Sequence, residues 1–441
     1  MIDLPNIKVL PPGPKSRSII KRDLIFTSPS LLRLYPLVVA SGNGCIIQDV
    51  DENEYIDFNA GLGTINIGHS HRAIIECVHQ QVQTLINYSS AFYSEIPLRL
   101  SEELHAITSG KTDKKIFYSN SGSEAVEAGI KTVMWHTRKH NFLAFQGGYH
   151  GSTLGALSFS ALKPSSVRYF STACSVNHVP YPYCYRCSFN QKFPECHYWC
   201  IDYIDDALIK SSRADFTGIL FEPIQAKAGC IVPPPDYFKR LKRLADRHNI
   251  LLIDDEVQTS LGRVGRWFGI ETWGVDPDIL CLGGAIASGF PLGATIANAE
   301  LMDWDPGAHI STLGGNPVAC AAALTVLDLI KSEHLLENST RLGNYVLRRL
   351  RELAEKYEVM GDVRGKGLLI GIEIVENSTS KEPAPVLAQK IIQKSFRRGV
   401  LLAKSGSCVV QISPPLTISK DLLDRGMQII ESAISEVVDQ I

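Results

Sequence analysis

Between about Lys114 and Asn298 the chain alternates short apolar runs with polar or amphipathic stretches. The runs are "KIFYSN", "NFLAFQGG", "TGILFEPI", "NILLIDDEV", "DILCLG" and "LGATIAN". This alternation predicts an α/β layer around a mostly parallel sheet, with functional residues in the loops beyond the carboxyl ends of the strands. After about Asn316 the pattern changes. A long helical pattern from Pro317 to Leu353 leads into "VRGKGLLIGIEIV", "GVLLAK" and "VVQIS", with helices between and after them, which predicts a smaller α+β domain. The N-terminal "PLVVASGNGCIIQDVDENEYIDFNAGLG" reads as a short meander turning at Asp51, Glu52 and Asn53, and it is expected to share the small domain's sheet. The expected division is 1–69 and 321–441 for the small domain and 70–320 for the large one.

Composition narrows the class without deciding the chemistry. The chain has 441 residues, 45% of them hydrophobic and 20% charged, enough for a large core and two domains. A formal net charge of −2, with no basic run, argues against nucleic acid or an anionic membrane as partner and favours small-molecule chemistry. "MIDLPNIKVLPPGPKSRSIIKRD" contains no apolar signal core, and no stretch reaches the roughly 18 apolar residues of a membrane span, so a cytoplasmic protein is expected. Of eleven cysteines, Cys184, Cys187, Cys196 and Cys200 crowd "CYRCSFNQKFPECHYWC". Zinc, disulfides and free packed thiols are all open for this cluster, which is a brace for a loop and not a reaction centre.

Three segments carry candidate chemistry. In "FYSNSGSEAVEAGIKTVMWHT", Ser121, Gly122 and Ser123 stand between a strand and a helix. The free N–H groups and hydroxyls at such a helix start suit a phosphate, although a serine N-cap with no ligand explains an isolated "SGS" equally. "FQGGYHGST" places Tyr149 and His150 in a glycine-rich turn, where an aromatic ring can stack on a flat cofactor or simply fill the turn. "LLIDDEVQTSLGRVGRW" sets Asp254 and Asp255 at the end of a buried strand, where an unpaired carboxylate is costly, so a cation is expected to meet one of them. A protonated pyridine nitrogen is such a cation. Metal chelation by Asp254, Asp255 and Glu256 and a plain acidic surface turn are the alternatives, the first disfavoured because neighbouring strand residues face opposite ways.

In their order and spacing these segments resemble the class III, fold type I, pyridoxal phosphate-dependent aminotransferases over nearly the whole chain. The likeness is carried by "YPLVVASGNGCIIQDVDENEYIDFNAG", "GHSH", "NSGSEAVEAGIK", "YHGST", "EPIQ", "IDDEVQTSLGRVGRWFG", "FPLGA" and "STLGGNPVACAAALTVLD". It is nearest to archaeal 4-aminobutyrate aminotransferase-like proteins and the related amino-acid racemases. The resemblance implies pyridoxal phosphate as cofactor, amino acids or 2-oxo acids as substrates, and a homodimer with shared sites. It also implies that Gly122 and Ser123, beside Ser121, hold the cofactor phosphate, that Tyr149 covers one ring face, that Asp255 pairs with the ring nitrogen, and that Val257 and Gln258 contact the ring and its phenolic oxygen. His150 and Glu222 join this set through "YHGST" and "EPIQ". Thr312 is implied to reach the phosphate held by the neighbouring subunit. No metal is assigned to the reaction centre.

One residue of that pattern is missing. In the family a lysine that bonds the cofactor and shuttles a proton stands six residues beyond the aspartate of "PDI". Here that place is Gly284, six residues after Asp278 and 29 after Asp255, and no lysine occurs between Lys242 and Lys331. Two more departures accompany it. Lys227 in "EPIQAKAG" stands where the family carries an acid, and Gln411 in "VVQISPPL" stands where it carries an arginine that takes a substrate carboxylate. Ser152 likewise replaces the arginine frequent in 4-aminobutyrate aminotransferases. Lysine acid–base and covalent effects are each worth orders of magnitude, so ordinary transamination is expected to be severely impaired. The open readings are an altered aminotransferase, a noncatalytic cofactor-binding or partner subunit, a racemase-like activity, and relocation of the amine to Lys227, itself otherwise read as a solvated or salt-bridged loop lysine.

Overall fold

A computed structural model of the chain describes residues 4–89, 91–110, 112–162, 169–170, 172–210 and 215–440. These form two compact units, one comprising 1–72 with 338–441 and the other 73–337.

The second unit is built on a seven-stranded sheet. Its strands are β4 (Lys114–Ser119), β5 (Asn141–Phe145), β6 (Ser175–Val179), β7 (Phe216–Phe221), β8 (Leu251–Asp255), β9 (Ile279–Leu282) and β10 (Gly293–Asn298), in the spatial order β4-β10-β9-β8-β7-β5-β6. β6, β5, β7, β8 and β9 run parallel, while β10 is antiparallel to both of its neighbours. Every residue of β7 and β9 is buried, as expected of strands covered on both faces. One cover is the helix Gly122–Thr137. Its Ala125, Val126, Ile130 and Val133 pack with Phe142, Leu220, Ile253 and Ile279 of the sheet. Gly129 lets this helix approach closely, since a Cβ there would stand 3.0 Å from Cys281 Sγ.

That helix starts where the sequence says it should. The Ser121 hydroxyl accepts the Glu124 amide at 3.2 Å, and the Glu124 carboxylate reaches back to the Asn120 amide at 2.7 Å, a reciprocal cap. The long helical pattern after Asn316 divides into two helices, Pro317–Ser332 and Leu335–Lys356. The break falls at His334, whose φ of 52° no right-handed helix accommodates.

In the first unit the N-terminal meander is β1 (Val39–Asn43), β2 (Ile46–Asp49) and β3 (Glu54–Asp57). The remaining strands are β11 (Met360–Lys366), β12 (Leu369–Ile374), β13 (Val400–Leu401), β14 (Ala403–Ser405) and β15 (Val409–Ile412). They form two four-stranded sheets, β1-β2-β3-β13 and β11-β12-β15-β14. The meander therefore shares a sheet with β13 alone of the C-terminal strands, not with the larger hairpin set. Its turn is tied by Asp49, whose carboxylate accepts the Asp51 and Asn53 amides at 2.9 Å each and the Tyr55 hydroxyl at 2.9 Å. Gln411 lies on β15, buried, and donates to the Ser413 hydroxyl at 3.2 Å.

Phe142 is fully buried and meets Phe159 edge-on, with ring centroids 5.2 Å apart. Phe142→Ala is expected to lower the unfolding free energy by about 3–5 kcal/mol, read from guanidinium denaturation. A loss below about 1 kcal/mol would show that this layer does not carry the core.

Candidate functional site

Strand direction brings most of the predicted residues to one edge. Glu222 directly follows β7, Asp255 ends β8, Gly283 and Gly284 follow β9, and the turn 146–150 follows β5. These four strands are parallel, so their carboxyl ends share an edge, and β4, which runs the same way as β9 through their common antiparallel partner, delivers Ser121–Ser123 there too.

The centre is Asp255. One carboxylate oxygen lies 2.7 Å from His150 Nδ1, and the other accepts the Val257 amide at 3.1 Å. A carboxylate accepts, so the imidazole proton lies on Nδ1. His150 Nε2 is buried with no hydrogen-bond partner among the described residues. Within the chain, the partner of Asp255 is thus a histidine from the same turn as Tyr149, a pairing the sequence does not reveal.

Around Asp255 other acids are packed out of water. Burial, with added repulsion from Asp255, pushes the Glu222 carboxyl well above the ordinary range, and Glu222 accepts the Tyr149 amide at 3.0 Å. Asp254 is likewise pushed well up by burial and by the Glu256 and Asp255 charges. Burial raises Glu256 to about 7, against the pull of hydrogen bonds from the Thr259 hydroxyl and the Ile270 amide. Among the described residues no group of three or more Cys, His, Asp or Glu is arranged to hold an ion.

Beside the acids the loops are tightly fitted. A Cβ on Gly122 would come within 2.8 Å of Val257 Cγ2, and one on Gly283 within 2.8 Å of Val257 Cγ1 and 3.1 Å of Gly122 Cα. Val257 is therefore pressed between two glycines that begin the loop ends of β4 and β9. A Cβ on Gly151 would meet Ser123 Oγ at 2.3 Å, which joins the turn of Tyr149 to the helix start. Tyr149 is partly exposed and its hydroxyl lies 3.0 Å from Ser152 Oγ. Gln258 has bonded partners in the chain.

Gly284 opens the short helical turn Gly284–Ala287 and is half-buried. It is not among the glycines with positive φ, so the backbone there suits any side chain. Lys227 occupies the turn Ala226–Gly229 after β7. It is half-buried, and burial lowers its amine below the ordinary lysine range, partly offset by the charges of Glu222 and Cys230. Of the two plain readings, a salt bridge is not found: among the described residues its amine has no hydrogen bond or ion pair. Thr312 is exposed, and its neighbour Ser311 has its hydroxyl 3.2 Å from Asn120 Nδ2.

The aminotransferase class-III family model matches residues 30–434. The chain belongs to the class III aminotransferases. It is 39% identical over 427 residues to a leucine/methionine racemase of Thermococcus litoralis, covering 96% of each chain. An acetylornithine aminotransferase of Methanosarcina mazei is 37% identical over 419 residues, covering 94% of this chain and 96% of its own. Among solved structures, a PLP-bound amine transaminase from an uncultivated Pseudomonas species superposes with a TM-score of 0.87 at 31% identity, covering 93% of this chain and 98% of that one. The fold is accordingly fold type I of the pyridoxal phosphate enzymes.

The cysteine cluster lies outside this site. Cys184, Cys187, Cys196 and Cys200 are unpaired and line a cavity of about 30 Å³ with Tyr181, Tyr198 and Trp199. Burial, with the neighbouring thiols, raises Cys184 to about 11 and Cys200 to about 12.

Glu256 yields a test of the acidic edge. Its folded pKa, about 7, exceeds the ordinary glutamate value of 4.5, so the folded state binds more protons and stability falls as pH rises between those values. Compared with the unmodified chain, Glu256→Gln is expected to flatten this fall by about 3 kcal/mol across the window, measured by urea unfolding at several pH values. Parallel curves for the two proteins would show that Glu256 is not held in this way.

Proposed function

We propose that this chain binds pyridoxal phosphate at the Asp255 edge of the seven-stranded sheet and takes an amino acid or a 2-oxo acid as substrate, with amino-group transfer held low by Gly284. The observation that carries the reading is the fit of the edge to a flat, anionic, nitrogen-containing ring. Val257 fills the space that Gly122 and Gly283 leave and so offers an apolar side chain beside the acids, and Asp255 is fixed by His150 and the Val257 amide.

In this reading the amides of Gly122 and Ser123, with the Ser121 and Ser123 hydroxyls, hold the phosphate at the helix start, where intrahelical acceptors are lacking. Val257 and Tyr149 bound the two faces of the ring. Asp255 holds a proton at the ring nitrogen, and His150 keeps that carboxylate oriented. Gln258 meets the phenolic oxygen. Glu222, kept near neutrality by burial, fixes the backbone of Tyr149 without adding a second negative charge. Bound there, the cofactor supplies an electron sink for the carbon that carries the amino group. With glycine at 284, no side chain from β9 moves a proton at that carbon, and general acid–base help of this kind is worth about 10²–10⁴-fold.

Thr312 fits a homodimer in which it faces the partner's phosphate. Its neighbours Ile310 and Leu313 are apolar and exposed, at 70% and 53%, which supports a covered surface in the assembly. A cytoplasmic location accords with the free cysteines.

Calorimetric titration with pyridoxal phosphate is expected to show saturable binding of one cofactor per chain. Hydrogen bonds to charged groups contribute about 1.5–3 kcal/mol, so Asp255→Ala is expected to weaken binding roughly 10- to 100-fold. Equal affinity in the two proteins would remove Asp255 from the site. For the chemistry, Gly284→Lys combined with Lys227→Glu is expected to raise transfer from an amino acid to 2-oxoglutarate or pyruvate by about 100-fold over the unmodified chain. No gain in a folded double variant would show that position 284 is not the decisive loss.

A further inference from the structure

Lys227 is an amine placed where a surface lysine would not be. Its turn folds back on itself through the antiparallel pairing of Gln225 with Ile231. The turn also lies against the loop that carries Tyr149 and His150: a Cβ on Gly147 would stand 2.9 Å from Gln225 Oε1 and 3.2 Å from Ala228 Cβ. The Glu222 carboxyl interacts electrostatically with both Asp255 and Lys227, so the amine and the central carboxylate flank the same buried acid. Among the described residues nothing in the chain hydrogen-bonds the amine or pairs with it.

Strand order gives this position a further meaning. β7 and β9 are the two neighbours of β8, the strand of Asp255. Adjacent strands lie about 4.8 Å apart, so Gly284 and the Lys227 turn enter the site from opposite sides of Asp255. A lysine side chain spans roughly 6 Å from Cα to Nζ, enough to reach over one strand.

We propose that Lys227 supplies, from the end of β7, the amine that position 284 lacks at the end of β9, and bonds covalently to the aldehyde of the cofactor held at this edge. The inference rests on the pyridoxal phosphate reading above. In the step the Nζ lone pair attacks the aldehyde carbon, and a carbon–nitrogen double bond replaces the carbon–oxygen one. The two amine hydrogens leave with the oxygen as water, so no oxidant or reductant is needed. Attack requires the neutral amine, and burial of Lys227 favours that form. The lack of a salt bridge among the described residues matters for the same reason, since a tight ion pair would hold the amine charged, whereas the Glu222 charge only partly offsets burial.

The test incubates the full chain with pyridoxal phosphate, reduces it with borohydride and maps the labelled peptide, with equilibrium dialysis of unreduced samples alongside. The expected result is one pyridoxyl group per chain on Lys227, with half-maximal labelling at a pH below the ordinary lysine range. Lys227→Met and Lys227→Arg are both expected to lose at least tenfold of the label while still taking up cofactor in dialysis. Lys227→Arg keeps the positive charge, so loss of label in that variant belongs to the amine and not to electrostatics. Cofactor retained in dialysis with no label on Lys227, or label undiminished in either variant, overturns the inference and leaves the binding reading standing. No cofactor retained by the unmodified chain overturns the binding reading and the inference with it.

Discussion

The contact on which the site depends is the 2.7 Å approach of His150 Nδ1 to Asp255. Four acids, Glu222, Asp254, Asp255 and Glu256, are buried at the ends of β7 and β8. Burying that many carboxylates is affordable only if most stay neutral or are satisfied locally. Burial pushes Glu222, Asp254 and Glu256 towards the protonated form. Asp255 alone of the four receives an imidazole N–H, together with the Val257 amide. Both Asp255 oxygens are thereby held in one orientation at a buried edge.

Backbone constraints complete the edge. Val257 is wedged between Gly122 and Gly283, and Gly151 admits Ser123, so several loops are locked to one another at separations that leave no room for a Cβ. Gly284 differs from these glycines. Its φ is not positive, and the turn it begins places no conformational demand for glycine. Glycine there removes a side chain without being required by the fold. Lys227, in the turn after β7 on the neighbouring side of β8, adds a half-buried amine to the surroundings of Glu222.

The large sheet was legible because β7, β8 and β9 are built on short apolar runs, and the strand-end acids were legible because carboxylates at the end of such a run have no cheap explanation. Membership of the class III aminotransferases was likewise legible in the order of the motifs. Other features depend on the third dimension. Nothing in "FQGGYHGST" says that His150 turns towards Asp255, 105 residues away. The exposure expected for Lys227 followed from residue type, whereas its half-buried state follows from the fold-back of Gln225 onto Ile231. The helical pattern from Pro317 continues through Ser332, Glu333 and His334 without a glycine or proline, so the break at His334 had no punctuation to reveal it. The capping pair Ser121 and Glu124 was written in "SGSE", and its dual use, as helix cap and as start of an anion site, is compatible with one geometry because the first-turn amides remain available.

The central claim is that Asp255 organises a pyridoxal phosphate site that persists without a lysine at 284. Crystals of the full chain grown with pyridoxal phosphate test it most directly. The account predicts ring density against Val257, with the ring nitrogen about 2.7–3.2 Å from an Asp255 oxygen and the phosphate at the amides of Gly122 and Ser123. A ring seated elsewhere, or crystals with no cofactor density at saturating concentration, would contradict it.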